Sequence, residues 1–213
     1  GNIVKDMVQD KDGYIWIGTT DGLDRFDGKE IRHYVHDPDD SMSIPASYAL
    51  ELFLDIDQQL WIGTNKGLSR YIPEKDVFKN YQLKRGEQSI KNQNIKDMIP
   101  DRNQNLWLSS DNTKELYLLN TNTGRLVHYL SKYTRPKLED KGELIFSIDP
   151  LNRLWISGKD TTTCYSYDDE IIRPLFHITG QPREKFKYGY QFGSLTFTKS
   201  NRIFFKNHGL FEL

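Results

Sequence analysis

One cysteine in 213 residues, Cys164, leaves no internal disulfide to be made. A lone thiol suits an oxidising or a reducing compartment alike, so it excludes a disulfide scaffold without fixing a location. Excess charge is missing too: 29 Lys+Arg stand against 30 Asp+Glu, a net charge of −1. That balance excludes a polyelectrolyte and gives no reason to expect a nucleic-acid partner. No apolar run approaches the roughly 18 to 20 residues that span a bilayer, and no secretory leader is read. Membrane attachment is therefore expected only through segments of a longer parent. There is no nucleophile elbow and no clustered Cys/His set, and "SGKDT" at 157–161 lacks the first glycine of a phosphate-binding loop. With 37% apolar residues the chain can still fill a large core.

What the chain has is repetition. Trp16, Trp61, Trp107 and Trp155 are separated by 45, 46 and 48 residues, and Phe204 takes the place of a fifth after 49 more. Six residues before each Trp stands an aspartate, Asp10, Asp55, Asp101 or Asp149; two residues after it stands Gly18, Gly63, Ser109 or Ser157. Thr198 and Lys206 break the pattern around Phe204. Each unit reads as four short strands punctuated by turn residues such as "DKDG", "TDG" and "DGK". In the first unit these are a (3–9), b (14–19), c (23–26) and d (31–35); in the second, 48–54, 60–64, 68–71 and 77–81.

Strand b, "YIWIG" or "LWIG", is apolar on both faces, which suits a sheet sandwiched between two others. A buried Trp covers on the order of 150–250 Å², at most about 4–6 kcal/mol each, so the tryptophans are expected to hold sheet to sheet. Repeats of about 40–50 residues carrying a Trp or Gly signature mark a β-propeller, whose radial sheets leave few exposed edges. The expected fold is all-β: four complete four-stranded blades and a partial fifth ending after strand c. As one domain, 1–213, it divides into blades near 1–46, 47–89, 90–142, 143–189 and 190–213.

The aspartates are expected to accept backbone N–H bonds that pre-form the a–b turn, with the glycines supplying positive φ. "DKD" sets two carboxylates at alternate positions, as a calcium site would, but the other copies read "DID", "DRN" and "DPLN". A ligand set that erodes while the turn persists points to architecture, so no metal and no cofactor is expected. His33, His36, His128, His177 and His208 show no metal-ligand spacing; His33 falls in strand d and His36 at the start of a loop. Cys164 in "TTTCYSY" is matched to the apolar strand c position of Leu23 and Leu68, as a small buried hydrophobe.

The wording D-x-x-G-x-I-W-I-G-T-x-x-G-L-x-R-F, from Asp10 to Phe26 and again without its first Gly from Asp55 to Tyr71, resembles the two-component regulator propeller repeat. The resemblance implies the periplasmic sensor region of a hybrid two-component system, usually with about seven blades per ring. It further implies a downstream β-sandwich, membrane span, histidine kinase and receiver, with an oligosaccharide as the common signal. A chain with fewer blades leaves Trp-bearing faces open. An arc that buries them against another copy, or dimerises through missing parent domains, is the expectation.

A ligand is expected on the d–a connections, which share one face with the b–c loops. The last two connections interleave Lys132, Tyr133, Arg135 and Lys137, then Arg183, Lys185, Phe186, Lys187 and Tyr188. Aromatic faces stack on sugar rings and cations pair with carboxylate or sulfate, which would suit an acidic oligosaccharide. The same residues also read as a solvated charged loop. Two classes of function stay open: a non-catalytic sensor module, and a propeller enzyme acting on glycans or lactones, similar to sialidases or streptogramin lyases. The absence of paired channel-mouth carboxylates or a metal-held water favours the sensor.

Overall fold

The computed structural model describes residues 3–81, 83–85, 88–89, 94–110, 115–129, 145–157, 161–167, 172–179, 195–197, 202–205 and 209–212. They form strands and turns, and among them no helix is long and apolar enough to cross a membrane. The chain divides into two units, Gly1–His128 and Tyr129–Leu213.

The first unit contains three four-stranded antiparallel sheets. Blade 1 is β1 (Val4–Gln9), β2 (Ile15–Thr19), β3 (Leu23–Phe26) and β4 (Ile31–Tyr34). Blade 2 is β5 (Ala49–Leu54), β6 (Leu60–Thr64), β7 (Gly67–Ile72) and β8 (Val77–Tyr81). A two-stranded hairpin, β9 (Lys84–Arg85) with β10 (Gln88–Ser89), precedes blade 3. Blade 3 is β11 (Ile95–Pro100), β12 (Asn105–Ser110), β13 (Glu115–Asn120) and β14 (Leu126–Tyr129).

The second unit holds one four-stranded sheet: β15 (Ile145–Ile148), β16 (Leu154–Ser157), β17 (Thr161–Tyr167) and β18 (Ile172–Thr179). A three-stranded sheet follows, β19 (Leu195–Phe197), β20 (Arg202–Phe205) and β21 (Gly209–Glu212). Strand order follows chain order in every blade, as a meander requires. The expected four complete blades and a partial fifth are present.

All four tryptophans are buried to 1% exposure or less. They occupy one register, facing Val8, Phe53, Ile99 and Ser147 on strand a. Phe204 takes the same place opposite Thr196; its side chain lies outside the described residues. Two apolar layers join the blades of the first unit. Trp16, Leu23 and Tyr34 of blade 1 pack on Ala49, Leu52, Leu60, Ile62, Tyr71 and Phe78 of blade 2. Trp61 and Leu68 of blade 2 pack on Ile95, Met98, Leu106, Leu108 and Tyr117 of blade 3.

The glycines after the tryptophans do a different job from the one expected. Positive φ belongs to the third residue after each turn aspartate: Gly13 (+88°), Gln58 (+61°), Gln104 (+62°) and Asn152 (+61°). Gly18 and Gly63 lie inside β2 and β6 and are not among the residues with positive φ. Close approach requires them instead. A Cβ on Gly63 would meet Ile95 Cγ2 at 2.9 Å, and one on Gly18 would meet the Ala49 carbonyl at 3.3 Å. The missing side chain lets the next blade's inner strand settle on strand b.

Cys164 also moves. It pairs with Trp155, as Arg25 pairs with Trp16 and Arg70 with Trp61, whereas Leu23 and Leu68 pair with Gly18 and Gly63. The residue in the Leu23 register is Thr162, opposite Ser157. Cys164 stands nine residues after Trp155, as Arg25 and Arg70 stand after Trp16 and Trp61, so the b–c connection keeps its length and the match to Leu23, seven residues after Trp16, was two residues out. The thiol is nevertheless fully buried, and burial pushes its pKa up to about 12.

Candidate binding face

The d–a connections and b–c turns do share a face. Thr20 N–H, after β2, donates to Ile3 O at 3.1 Å, and Asn65 N–H, after β6, donates to Tyr48 O at 3.2 Å. Each bond ties the start of strand a to the turn leaving strand b.

The connection at 35–48, "VHDPDDSMSIPASY", shows how such a segment is fixed. His36 Nδ1 donates to Ile44 O (2.9 Å) and the His36 N–H to Ser47 Oγ (3.0 Å). Asp37 Oδ1 takes the N–H of Asp39 and Asp40 Oδ1 that of Met42, two Asx turns in succession. Ile44 and Ala46 are buried beneath, at 0% and 3% exposure. Blade 2 holds the connection from its outer strand: Asn80 Nδ2 donates to Ser41 O and Ser43 O at 3.1 and 2.8 Å, and Phe78 N–H to Met42 O at 2.8 Å. A loop tied at this density is a rigid platform for whatever it presents.

It ends on Tyr48, whose ring carries the Lys5 ammonium at 5.5 Å from its centroid. Asn65 follows β6 and Asn94 precedes β11, and their Oδ1 atoms are buried with no hydrogen-bond partner among the described residues. The Tyr48 ring with the Lys5 ammonium over it is an arrangement suited to polyhydroxylated molecules.

The nine residues named from sequence, Lys132, Tyr133, Arg135, Lys137, Arg183, Lys185, Phe186, Lys187 and Tyr188, all lie outside the described residues. Lys5, Tyr48, Asn65 and Asn94 were not singled out from sequence. Their signal was only the recurrence of a polar or aromatic residue at the ends of strands whose centres are apolar.

A second polar group joins blades 1 and 2. Asp76, in the β7–β8 turn, accepts from Tyr71 Oη (2.6 Å) and Tyr34 Oη (2.7 Å), and its other oxygen pairs with Arg32. Arg25 donates to Tyr71 Oη at 2.8 Å while lying over the Tyr14 ring, 4.8 Å from its centroid. Burial raises both phenols above their usual range, Tyr34 most strongly. Burial alone would raise Asp76 as well; the hydrogen bonds from Tyr71 and Tyr34, with the charges of Arg32 and Arg25, outweigh it and hold the carboxyl low. This group fastens two sheets together and leaves the carboxylate as an acceptor, not a base in waiting.

His33 is bonded to Asp24 across strands c and d, and His36 is tied to its own loop. Among the described residues no group of three or more His, Cys, Asp or Glu is placed to hold a metal ion.

A family model described as Two component regulator propeller matches residues 1–21, the segment carrying the Asp10 turn and Trp16. That segment is similar to a two component regulator propeller repeat. A histidine kinase P4 of Formosa agariphila is 51% identical over 41 residues, 19% of this chain and 3% of that protein. The extracellular domain of the hybrid two component system BT4673 from B. thetaiotaomicron superposes on 96% of this chain and 25% of its own length, with a TM-score of 0.63 at 16% identity. Virginiamycin B lyase of Staphylococcus aureus does so over 95% of this chain and 62% of its own, with a TM-score of 0.64 at 14% identity. At such identities the likeness establishes the β-propeller fold. The chain spans 3% of the histidine kinase it matches and 25% of the BT4673 extracellular domain.

Proposed function

We propose that this chain is a non-catalytic, extracytoplasmic sensor module of a hybrid two-component signalling protein, periplasmic in its parent. Its ligand is an oligosaccharide taken on the face of the d–a connections. Binding rearranges two chains and drives a kinase joined to them in the longer protein.

The observation that carries this reading is the regulator propeller match at residues 1–21, set beside 51% identity to a histidine kinase over 41 residues. The rigid connection at 35–48, with Tyr48 and Lys5 at its end, supports a ligand on that face. The basic and aromatic residues at 132–137 and 183–188 favour an acidic sugar. Likeness to a lyase keeps a second reading testable, since one propeller can serve either purpose.

Calorimetric titration of the chain with uronate-containing, sulfated and neutral oligosaccharides, with the same mixtures assayed for cleavage products, tests both. Saturable binding without turnover, weakened by Tyr48→Ala, is the expected result. Turnover, or binding of none of the three classes, overturns the sensor reading.

A further inference from the structure

Blade 1 meets blade 2, and blade 2 meets blade 3, through the same set of side chains. Arg25 stands opposite Trp16 and Arg32 on its two neighbouring strands, and Arg70 stands opposite Trp61 and Lys79. Tyr34 and Tyr81 share one register, opposite Leu23 and Leu68. The spacings agree as well. The Arg25 guanidinium lies 5.5 Å from the Trp16 ring centroid, and that of Arg70 lies 5.7 Å from Trp61. Tyr34 is 5.9 Å from Trp16 and Tyr81 is 5.3 Å from Trp61, centroid to centroid. Arg32 sits 5.2 Å from the Tyr34 centroid, and Lys79 sits 5.1 Å from that of Tyr81.

What these groups face differs. The c–d turn of blade 2 ends on Asp76, with φ of +55°, just before Val77, which pairs with Ile72. In blade 3 the turn ends on Gly124, with φ of +71°, just before Arg125, whose carbonyl accepts the Asn120 N–H at 2.8 Å. Both turns bring one left-handed residue to the same place. The Asp76 carboxylate takes the hydroxyls of Tyr34 and Tyr71 and pairs with Arg32, with Arg25 at 3.7 Å. Gly124 has no side chain, the turn at 120–125, "NTNTGR", carries no acid, and Leu119 stands in the register of Tyr71. A Cβ on Gly124 would lie 3.6 Å from Tyr81 Cε1 and 3.8 Å from Tyr81 Oη.

Arg70 is therefore half-buried, with its Nε shielded from water and without a hydrogen-bond partner among the described residues. Such a guanidinium has given up hydration without gaining an acceptor, and an anion brought beside it restores the loss. The twin contact shows which anion fits: a carboxylate, whose side chain at Asp76 is 25% exposed, so the position is reachable from solvent.

We propose that Arg70, Lys79 and Tyr81, beside Gly124, bind the carboxylate of a small acidic ligand in the manner in which Arg25, Arg32 and Tyr34 hold that of Asp76. The guanidinium and ammonium supply charge and the phenol supplies one O–H donor. In an antiparallel meander the c–d turns lie at the opposite strand ends from the d–a connections, so this site is separate from the Tyr48 face.

The Arg70 Nε–H signal in proton–nitrogen NMR spectra of the full chain, identified by its loss in Arg70→Lys, tests this at constant ionic strength. Glucuronate is the probe, with glucose and chloride as controls. A saturable shift with glucuronate alone is expected, with Lys79→Ala and Tyr81→Phe each weakening binding at least about threefold. Gly124→Asp installs the blade 2 residue at a φ that Asp76 already adopts. It should show the shifted signal without any probe and respond no further. Should that variant not fold, Lys79→Ala, at an exposed side chain, carries the test. No response to glucuronate, an equal response to glucose or chloride, or a Gly124→Asp chain that still responds overturns the proposal. A response abolished by Tyr48→Ala does so too, since it would place the sugar acid on the other face. The oligosaccharide titration, which depends on Tyr48, is read separately.

Discussion

The indole N–H of Trp61 donates to Asp55 Oδ2 at 2.8 Å, so the residue that fills the blade core is fastened to the residue that makes the turn. Asp55 Oδ1 meanwhile accepts the backbone N–H of Asp57 (3.0 Å) and Gln59 (2.8 Å). The pairing recurs as Asp10–Trp16 (2.7 Å) and Asp149–Trp155 (2.9 Å), and Arg153 adds a bond to Asp149 at 2.6 Å. Asp101 accepts the same backbone bonds, and its Oδ2 takes Asn105 Nδ2 at 2.9 Å. Asp55→Ala strips three donors of their acceptor at a site 8% exposed. It should cost about 2–4 kcal/mol by urea unfolding. A loss below about 1 kcal/mol would mean the carboxylate is not what holds the turn.

Gly63 sets how closely blade 3 approaches blade 2. Gly63→Ala drives a methyl into Ile95 and should destabilise by about 1–3 kcal/mol. Gly18→Ala, whose new Cβ finds 3.3 Å, should cost less. Trimming the obstacle in Gly63→Ala/Ile95→Ala should give a double variant more stable than the sum of the two single losses predicts. Strict additivity in thermal unfolding would place the strain elsewhere.

The Asp to Trp interval of six residues was legible because it lies within one tight turn whose length does not vary. Strand rhythm and the buried indoles followed from it. Features beyond strand b were harder to read, because the b–c and c–d connections differ in length between copies. Cys164 was placed two residues out of register although its interval of nine from Trp155 equals that of Arg25 from Trp16, because a small apolar letter was matched to Leu23 by type rather than by spacing. His33, Asn80 and His177 are partners of the corresponding strand c residues Asp24, Ser69 and Thr163, and His128 lies against Tyr117 of that same register. Counted from their tryptophans these residues stand at 17, 19, 22 and 21, so no fixed period exposes them. The role of Gly18 and Gly63 was hidden for another reason: a glycine chosen for close approach and one chosen for positive φ are the same letter. Gln58, Gln104 and Asn152, which hold the positive φ, carry no such mark.

Gln104 holds φ of +62° with a side chain that disfavours it. Gln104→Gly relieves that cost, about 1 kcal/mol, and partly offsets it by loosening the unfolded chain. A small net stabilisation in urea unfolding is expected, and a loss above about 1 kcal/mol would show that the Gln104 side chain matters more than its backbone.

Asp76 couples the blade 1–blade 2 contact to pH. Its folded pKa lies below that of a free aspartate, so its contribution is complete above the free value and disappears as pH falls through the lower folded one. Asp76→Asn should therefore be less stable than the parent at neutral pH, with the gap narrowing in acid below about pH 4. A gap independent of pH would assign the loss to hydrogen-bond geometry alone.

Cys164 offers a readout of the second unit, where it is the one cysteine. A thiol with its pKa pushed up to about 12 and no exposure is neither ionised nor reachable at pH 8. Reaction with an aromatic disulfide reagent needs the thiolate, so the native chain should remain unlabelled until that blade opens. Labelling in native buffer should be slower than in urea by a factor of about a thousand or more, set by the opening equilibrium. Thr162→Val, in the Leu23 register, should leave this protection in place, whereas Trp155→Ala, directly opposite Cys164, should remove much of it. Rapid labelling of the unaltered chain would mean that this blade is not closed over its thiol.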